Sequence, residues 1–173
     1  MPASKTASNT ASKPASKPAS TSAKDAIQLL TADHKEVKAL FKQYDKLAQG
    51  TNAADAKREI AQQICEALTV HATVEEEIFY PAARTVLGKD EDLVDEADVE
   101  HATAKELIAQ IEDATSVDAM YDAKVKVLGE YIDHHVKEEE DEMFPKIKKT
   151  ELDLKQLGAE MSLRKTELMG VPA

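Results

Sequence analysis

The sequence predicts an all-α protein: an antiparallel, up-down four-helix bundle with a disordered N-terminal tail and a short C-terminal helix. Four stretches repeat apolar residues at alternating spacings of three and four, as helices that bury one face do. The connections between these stretches are short, so neighbouring helices run antiparallel. Alternating strand patterns are absent from the sequence. Residues 1–22 are assigned to the tail, 23–150 to the bundle, and 151–173 to the C-terminal helix and its end.

The tail consists almost entirely of Ala, Ser, Lys, Pro and Thr. Such a segment has little apolar surface to bury and cannot offset the entropy that it loses on ordering. It contains Lys5, Lys13 and Lys17 and no acidic residue. A basic arm toward acidic partners is one interpretation, and a solubilising leader is the simpler one.

The first helix is predicted to begin at Ala23, with Ser22 as its N-cap and Asp25 at the capping-box position. Residues 50–52, Gly-Thr-Asn, then end it. A histidine, His34, lies within its apolar face. That face consists of Ile27, Leu30, His34, Val37, Phe41 and Tyr44.

The second helix again has a histidine, His71, within its apolar face, and Glu75 follows one turn later. Pro81 removes a backbone donor, so the helix is expected to kink or end there. A short continuation to Leu87, closed by Gly88, is predicted. The apolar face consists of Ile60, Ile64, Ala67, His71, Val74 and Ile78.

The third and fourth helices are predicted to follow Asp90 and Ser116 as N-caps. Their inward faces contain, in order, Val94, Ala97, His101, Ala104, Ile108 and Ile111, then Val125, Leu128, Ile132, His135 and Glu139. His134 is rotated by about 100° from His135 and is expected to face away from the centre. Thr150 is the predicted cap of the C-terminal helix, which either packs across the bundle or frays.

Composition excludes several classes of function. There are 33 acidic and 22 basic residues, for a net charge of −11, so the folded domain is unsuited to binding nucleic acid. No apolar run approaches the roughly 18 residues of a membrane span, and the N-terminus lacks the apolar core of a secretory signal. The single Cys65 permits no intramolecular disulfide and fits a reducing, cytoplasmic location. We interpret Cys65 as an inert core residue.

Two stretches of the chain resemble each other: HATVEEEIFYP at 71–81 and HVKEEEDEMFP at 135–145. Each has a His followed four residues later by a Glu, and each ends in an aromatic residue and a Pro. A His and a Glu at this spacing lie on one face of a helix, about one turn apart. Both side chains can therefore point at one metal ion or at two adjacent ones.

Each of these residues alone has a simpler interpretation. A lone His on an apolar face is usually a core histidine with a hydrogen-bond partner, and a lone Glu at the edge of that face usually extends to water. Tyr80 and Phe144 are interpreted as core filling. The acidic runs at 75–77 and 138–142 are interpreted as mostly solvated surface.

Together the inward polar residues favour a metal site. Four helices each contribute a His, and two add a Glu: His34, His71, Glu75, His101, His135 and Glu139. Unpaired, these groups would cost several kcal/mol each, whereas a shared cation removes that cost. Carboxylates and imidazoles on facing helices are how di-iron and di-manganese sites are built in bundles. This donor set suits iron, manganese or zinc better than copper(I) or an iron–sulfur cluster.

With these residues the chain resembles the hemerythrin family, specifically the bacterial hemerythrin-like HHE cation-binding domains. The resemblance covers roughly residues 23–150 and rests on the His-x-x-x-Glu motif, used twice and followed by an aromatic residue and Pro. It implies two non-haem iron ions, an oxo or hydroxo group, and O2 or a related small molecule. The ligands that it implies are His34 and His71 for one iron, His101 and His135 for the other, and Glu75 and Glu139 as bridges.

The chain departs from that family's oxygen carriers at Lys105. Animal hemerythrins have a second His at this position, one turn after the third-helix ligand. A lysine cation would not ligate, so the resemblance implies a more open or water-filled site, and this departure argues against reversible oxygen transport. Tyr131, one turn before His135, is an alternative oxygen ligand, although core packing is the simpler interpretation.

Several functions stay open at this point. The first is a non-enzymatic di-iron protein that binds O2, NO or peroxide for oxygen or redox sensing, stress response or iron handling. The second is an enzyme that decomposes peroxide or oxidises Fe(II); its catalysis would reside in the metals, since the sequence contains no separate catalytic constellation. The third is a metal-free helical interaction module. The sequence identifies no protein partner.

Overall fold

The computed structural model describes residues 24–50 and 53–170, and their regular elements are all helical. The all-α class is confirmed, while the predicted tail lies outside the described residues. The α-helices are α1 (Ala26–Ala48), α2 (Ala54–Val74), α3 (Tyr80–Leu87), α4 (Asp92–Glu112), α5 (Ala119–Glu138), α6 (Phe144–Ile147) and α7 (Leu154–Leu168). Two π-helical turns, Glu75–Phe79 and Glu139–Met143, join α2 to α3 and α5 to α6. A 3-10 turn, Gly88–Asp90, precedes α4.

The bundle has four helical arms: α1, α2 continued by α3, α4, and α5 continued by α6. Helix α1 packs against α2 and α5, and α4 packs against the same two helices, so the arms close into an up-down bundle. Helix α7 lies outside this ring, against α1 and α2. None of the described helices has the length and apolar character needed to cross a membrane.

The start of α1 differs from the sequence prediction. Asp25 is the N-cap itself, because its carboxylate accepts from the Gln28 backbone N–H at 2.8 Å. The Gln28 side chain accepts in return from the Asp25 backbone N–H at 3.2 Å, which completes a capping box. The predicted cap, Ser22, lies outside the described residues.

Aspartates also cap two later helices in place of the predicted residues. Asp118 caps α5 by accepting from two backbone N–H groups, and the predicted cap Ser116 donates its hydroxyl to Asp118. Asp153 caps α7 in the same way, in place of Thr150. Aspartate is among the preferred N-cap residues, and its charge also suits the positive end of the helix dipole. Helix α4 begins at Asp92, after the 3-10 turn that contains the predicted cap Asp90.

The two prolines widen their helices instead of ending them. Ahead of Pro81, the Tyr80 N–H bonds to the Glu75 carbonyl five residues back, and ahead of Pro145, the Phe144 N–H bonds to that of Glu139. A π turn accommodates the proline ring, which would otherwise clash with the preceding turn. After Pro81 the helix continues to Leu87 and stops at Gly88, as predicted; Gly88 has a φ of 56°.

The core consists of two apolar clusters with a layer of buried polar residues between them. The cluster at the π turns includes Leu30, Val74, Phe79, Phe144 and Met161. The other cluster includes Val37, Leu68, Ala104, Leu128 and Ile132. Along each arm, the inward histidine falls at the boundary between the two clusters.

Helix α7 packs firmly against the bundle. Leu157 and Met161 are buried in the first cluster. A Cβ atom on Gly158 would come within 2.6 Å of the backbone at the start of α1, so the close approach requires glycine. Arg164 forks onto Glu77 with contacts of 2.6 and 3.1 Å. Of the two sequence alternatives for this helix, packing is therefore the one observed.

Candidate metal centre

The six predicted ligand residues lie together in the polar layer. Each arm contributes one histidine, and each π turn begins with one of the glutamates. All six residues are at most 6% exposed, which is unusual for glutamate and requires partners. They are His34, His71, Glu75, His101, His135 and Glu139.

Glu75 lies between histidines of two different arms. Its Oε2 atom is 3.1 Å from His71 Nε2 and 3.4 Å from His101 Nε2. Because His71 is on α2 and His101 is on α4, one carboxylate reaches both halves of the bundle. This is the position that a bridging ligand needs.

Glu139 repeats this arrangement from the other half. Its Oε2 atom is 3.2 Å from His34 Nε2 and 3.7 Å from His135 Nε2. Two groups of candidate ligand atoms result, and the atoms of each lie within 4.8 Å of one another. One group is His34, His71, Glu75 and Glu139, and the other is Glu75, His101 and His135.

Six buried atoms of the centre have no hydrogen-bond partner among the described residues. They are His34 Nε2, His71 Nδ1, His71 Nε2, Glu75 Oε1, Glu75 Oε2 and Glu139 Oε2. Several approach each other closely but are misaligned for hydrogen bonding, so they converge on shared points instead of pairing. Each unsatisfied buried group costs about 1–3 kcal/mol. A bound cation would satisfy them, and imidazole with carboxylate suits iron, manganese or zinc.

The second histidine pair, His101 and His135, also favours a bound cation. His101 Nδ1 faces Glu76 at 3.0 Å and His135 Nδ1 faces Glu100 at 2.8 Å, so we assign the ring proton of each to Nδ1. Their Nε2 atoms are then lone-pair donors, and they face each other at 3.2 Å. Two lone pairs at this distance repel unless a proton or a metal ion lies between them.

Every inward histidine has a carboxylate at the ring nitrogen that points away from the centre. In the first half, His34 Nδ1 is 2.9 Å from Glu140 and His71 Nδ1 is 3.6 Å from Asp33. Carboxylates in this position fix the tautomer and orientation of metal-ligating histidines. The supporting carboxylates are Asp33, Glu76, Glu100 and Glu140.

Helical periodicity did not predict these four residues. Glu76 and Glu140 lie in the acidic runs interpreted as mostly solvated surface, and Asp33 and Glu100 lie outside the inward positions of their helices. Each supporting acid is adjacent in sequence to a candidate ligand, yet it contacts the histidine of a different arm. Asp33 precedes His34 but faces His71, and Glu76 follows Glu75 but faces His101. An acid beside each of four candidate ligands was the signal that could have revealed them.

Tyr80 has a polar contact at the centre that the sequence analysis did not predict. Its hydroxyl donates to Glu139 Oε1 at 3.0 Å, and its oxygen lies 3.3 Å from His101 Nε2. In the second repeat Phe144 takes the corresponding place and stacks on the His34 ring at a centroid distance of 5.9 Å. Burial and the Glu139 charge hold the pKa of Tyr80 well above its usual value, so it remains a phenol in the metal-free protein.

Lys105 lines the centre's cavity, but its ammonium group turns to Glu76, with contacts of 2.7 and 2.5 Å. It thus belongs with the supporting groups around His101 and not with the candidate ligands. Tyr131, which the sequence offered as an alternative oxygen ligand, is partly exposed. The hydroxyl that lies beside His101 is that of Tyr80.

Two further residues have the surroundings that the sequence predicted. The side chain of His134 is 62% exposed and contacts Glu100 and Glu138 at the surface, so it faces away from the centre. Cys65 is buried, and burial raises the pKa of its thiol to about 12. A thiol with that pKa is protonated and unreactive at neutral pH.

The electrostatics of the centre favour a cation. Burial works against the charged form of His71, yet Glu75 and Asp33 outweigh it and raise its pKa to about 10. Burial likewise opposes the ionised form of Glu75, but His71 and His101 hold its pKa well below the usual value. The metal-free centre therefore retains protons on histidine, because its carboxylates create a negative potential.

A small cavity opens beside the four histidines. About 20 Å³ of it is open to the centre of a water-sized sphere, and one water molecule needs roughly 10–15 Å³ on this measure. Apart from polar residues of the centre, its walls are the apolar side chains of Val37, Leu68, Ala72, Ala104, Ile108, Ile132 and Val136. The space suits a ligand of one or two heavy atoms.

Comparison with known proteins places this geometry in a family. In the solved structures, the fold is similar to a hemerythrin HHE cation binding domain-containing protein from Mycobacterium kansasii, with a TM-score of 0.68 and 21% identity over 84% of this chain and 88% of that chain. The chain is also 29% identical over 120 residues to a DNA nickase from Nostoc sp., which is 69% of this chain but 32% of that protein. It thus spans about a third of that relative's length. The family description "Hemerythrin HHE cation binding domain" matches residues 25–147, and the chain therefore belongs to this family.

Proposed function

We propose that this protein binds two iron ions and uses them to bind O2, NO or peroxide, for oxygen or redox sensing, stress response or iron handling. The proposed ligands are His34 and His71 for one ion, His101 and His135 for the other, and Glu75 and Glu139 as bridges. The observation that carries the proposal is the set of six buried nitrogen and oxygen atoms at the centre that have no hydrogen-bond partner in the described part of the chain. A folded protein tolerates such a set when a ligand satisfies it.

The donor set supports a site for a pair of iron ions. Two carboxylates that each face histidines of both halves are suited to bridging a pair of ions, the arrangement of di-iron and di-manganese bundles. Iron bound there would supply redox and Lewis-acid chemistry to a small ligand. Manganese and zinc are the alternative metals, and elemental analysis separates the three.

The chain's own residues would shape the binding of the small ligand. The cavity admits a molecule of one or two heavy atoms, and its apolar walls limit competing water. Glu76, Glu100 and Glu140 each accept a hydrogen bond from Nδ1 of the histidine that they face, which leaves the Nε2 lone pairs of these histidines directed at the centre. Tyr80 holds Glu139 by a hydrogen bond.

A second candidate is an enzyme that decomposes peroxide or oxidises Fe(II). It is supported by the Tyr80 hydroxyl, a proton donor 3.3 Å from His101 Nε2 and thus beside the proposed ligand position. Steady consumption of hydrogen peroxide that chelation abolishes would establish this activity. A reversible absorption change with oxygen or NO, without turnover, would establish the binding function.

The decisive experiment is metal analysis of freshly purified protein together with its visible spectrum and thermal melting. We expect two iron ions per chain and a higher melting temperature than in the chelated protein. Metal at a hundred times its Kd contributes roughly 2.7 kcal/mol, or about 5–10 °C for a chain of this size. Protein that contains no metal and gains no stability on adding iron, manganese or zinc would instead be a helical interaction module.

We further propose a cytoplasmic location. The single Cys65 is a buried thiol, which a reducing compartment preserves. Fractionation of cells that express the protein at its natural level would test this, with the protein expected alongside cytoplasmic markers.

A further inference from the structure

Two supporting carboxylates occupy corresponding places in the two halves of the centre but hold their histidines differently. Asp33 and Glu100 each precede a candidate ligand and face the Nδ1 atom of the histidine on the next long arm. Glu100 is 2.8 Å from His135 Nδ1, a good hydrogen bond. Asp33 is 3.6 Å from His71 Nδ1, and that nitrogen is without a hydrogen-bond partner among the described residues.

Asp33 and Glu100 differ in the second group that each carboxylate contacts. The ammonium group of Lys165, on α7, contacts Asp33 Oδ1 at 2.5 Å. The corresponding neighbour of Glu100 is His134, whose Nε2 is 3.5 Å away on a side chain that is 62% exposed. Asp33 therefore contacts a permanent cation and lies 3.6 Å from its histidine. Glu100 contacts an exposed histidine instead and is hydrogen-bonded to His135.

A lysine on a supporting carboxylate does not by itself cause this separation. Lys105 contacts both oxygens of Glu76, yet Glu76 stays 3.0 Å from His101 Nδ1. Lys105 is on α4, the arm that also carries His101, so its contact holds the carboxylate near that histidine. Lys165 contacts Asp33 from α7, which lies outside the ring of four arms.

The position of Lys165 is fixed by the packing of α7. Gly158 lies against the backbone at the start of α1, and the neighbouring residue Arg164 forks onto Glu77. The Lys165 side chain is 26% exposed and that of Asp33 is 11% exposed, so water competes little for their contact. The contact between Lys165 and Asp33 is thus fixed by the packing of α7.

We infer that Lys165 is a positioning residue that holds Asp33 away from His71 and so makes the two proposed metal positions unequal. A histidine whose Nδ1 makes no close hydrogen bond to its carboxylate is less firmly oriented and a weaker donor at Nε2. The position of His34 and His71 therefore releases its metal first. This inference rests on the proposed function, since it concerns the same two metal positions.

The test is release of metal from the full chain, loaded with Fe(II) without oxygen and mixed with excess coloured chelator. We expect two phases of about one ion each in the wild type. In Lys165→Met, Asp33 is free to bond His71, so the fast phase slows by about tenfold, the lower end of the range for such supporting contacts. The slow phase stays unchanged. If Lys165 served only to attach α7, the same substitution would loosen the helix and accelerate release.

Two matched variants serve as controls. Lys155→Met removes the same charge from an exposed position of α7 and is expected to leave both phases unchanged. Lys165→Arg keeps a cation on Asp33 and is expected to retain the wild-type fast phase. An unchanged or accelerated fast phase in Lys165→Met overturns the inference, while two bound ions in the same protein keep the proposed function standing. Absence of bound metal in the wild type overturns both.

Circular dichroism melting checks that the variants fold. Should Lys165→Met not fold, Asp33→Asn and Glu100→Gln give the same comparison. The contact of Asp33 with His71 is longer than that of Glu100 with His135, so Asp33→Asn is expected to accelerate the fast phase less than Glu100→Gln accelerates the slow phase. Glu100→Gln weakens a formed hydrogen bond to His135, so the slow phase is expected to accelerate. An acceleration of the fast phase by Asp33→Asn that equals or exceeds the acceleration of the slow phase by Glu100→Gln would contradict the inference.

Discussion

The Tyr80 hydroxyl donates a hydrogen bond of 3.0 Å to Glu139 across the centre, and so joins the first π turn to the glutamate that begins the second. Both residues are buried, so this bond has no competing water. The corresponding residue of the second repeat, Phe144, offers no such donor. The two halves of the centre therefore share their backbone and their candidate ligands but differ at this aromatic position.

Tyr80→Phe is expected to keep the bundle folded and to weaken metal retention. The ring still packs on Phe79, but Glu139 loses its partner at a cost of about 1–3 kcal/mol. Without that hydrogen bond Glu139 is less well positioned between His34 and His135, so metal loss to a chelator should be faster. Tyr44→Phe is the matched control. It removes a hydrogen bond of 2.7 Å from another buried tyrosine to a carboxylate, that of Asp122, but Tyr44 lies in the other apolar cluster. Equal metal retention by the two variants would contradict a role for Tyr80 at the centre.

The sequence could predict the six candidate ligands because regular helix geometry carries the argument. A spacing of three and four places the histidines inward, and a His and a Glu four apart share a face. Tyr80 escaped prediction because Glu75 and Tyr80 are five apart, which puts them on different faces of an α-helix. The π turn ahead of Pro81 brings both toward His101.

The supporting groups could not be predicted by the same argument. Asp33 and Glu76 each sit one residue from an inward position, where an α-helix points a side chain toward its flank or to water. Their contacts depend on how closely the adjacent arm packs, which periodicity does not encode. The Lys165 contact depends further on where α7 lies, and the sequence analysis left that open.

His135→Ala is expected to lower metal content sharply, and His134→Ala is expected to leave it close to the wild-type value. His135 is 3% exposed with Nε2 directed at the centre, whereas His134 lies on the surface. Elemental analysis of both purified variants makes the comparison. The reverse ranking would show that the register of α5 in the bundle is wrong.

Gly158→Ala is expected to destabilise the protein by about 1–3 kcal/mol, the usual cost of overpacking. The new methyl group would meet the backbone at the start of α1 at 2.6 Å, and backbone cannot move aside as a flexible side chain can. Denaturant unfolding of the chelated protein gives the free energy. Leu163→Ala, at a position of α7 that is 54% exposed, is the control and should have little effect. Equal stability of Gly158→Ala and the wild type would mean that α7 does not pack as described.

The stability of the metal-free protein should depend on pH in a defined window. Glu75 has a lowered pKa, so its contribution is complete above its ordinary value of 4.5 and is lost as the pH falls. His71 has a raised pKa, so its contribution is complete below its ordinary value of 6.5 and is lost as the pH rises toward about 10. The melting temperature of the chelated protein is thus expected to be highest between pH 4.5 and pH 6.5.

The stability that the protein gains from bound metal should increase as the pH rises, opposite to the trend of the metal-free protein. A metal ion needs the Nε2 lone pair of His71, so binding removes a proton that the metal-free protein holds up to a pH of about 10. The affinity for metal, and with it the stability gained on loading, should therefore rise with pH between 6.5 and 10. Melting curves of loaded and chelated protein across this range, with proton release on loading in weak buffer, measure both effects. A stability gain that is constant with pH, with no protons released, would mean that the metal does not bind at His71.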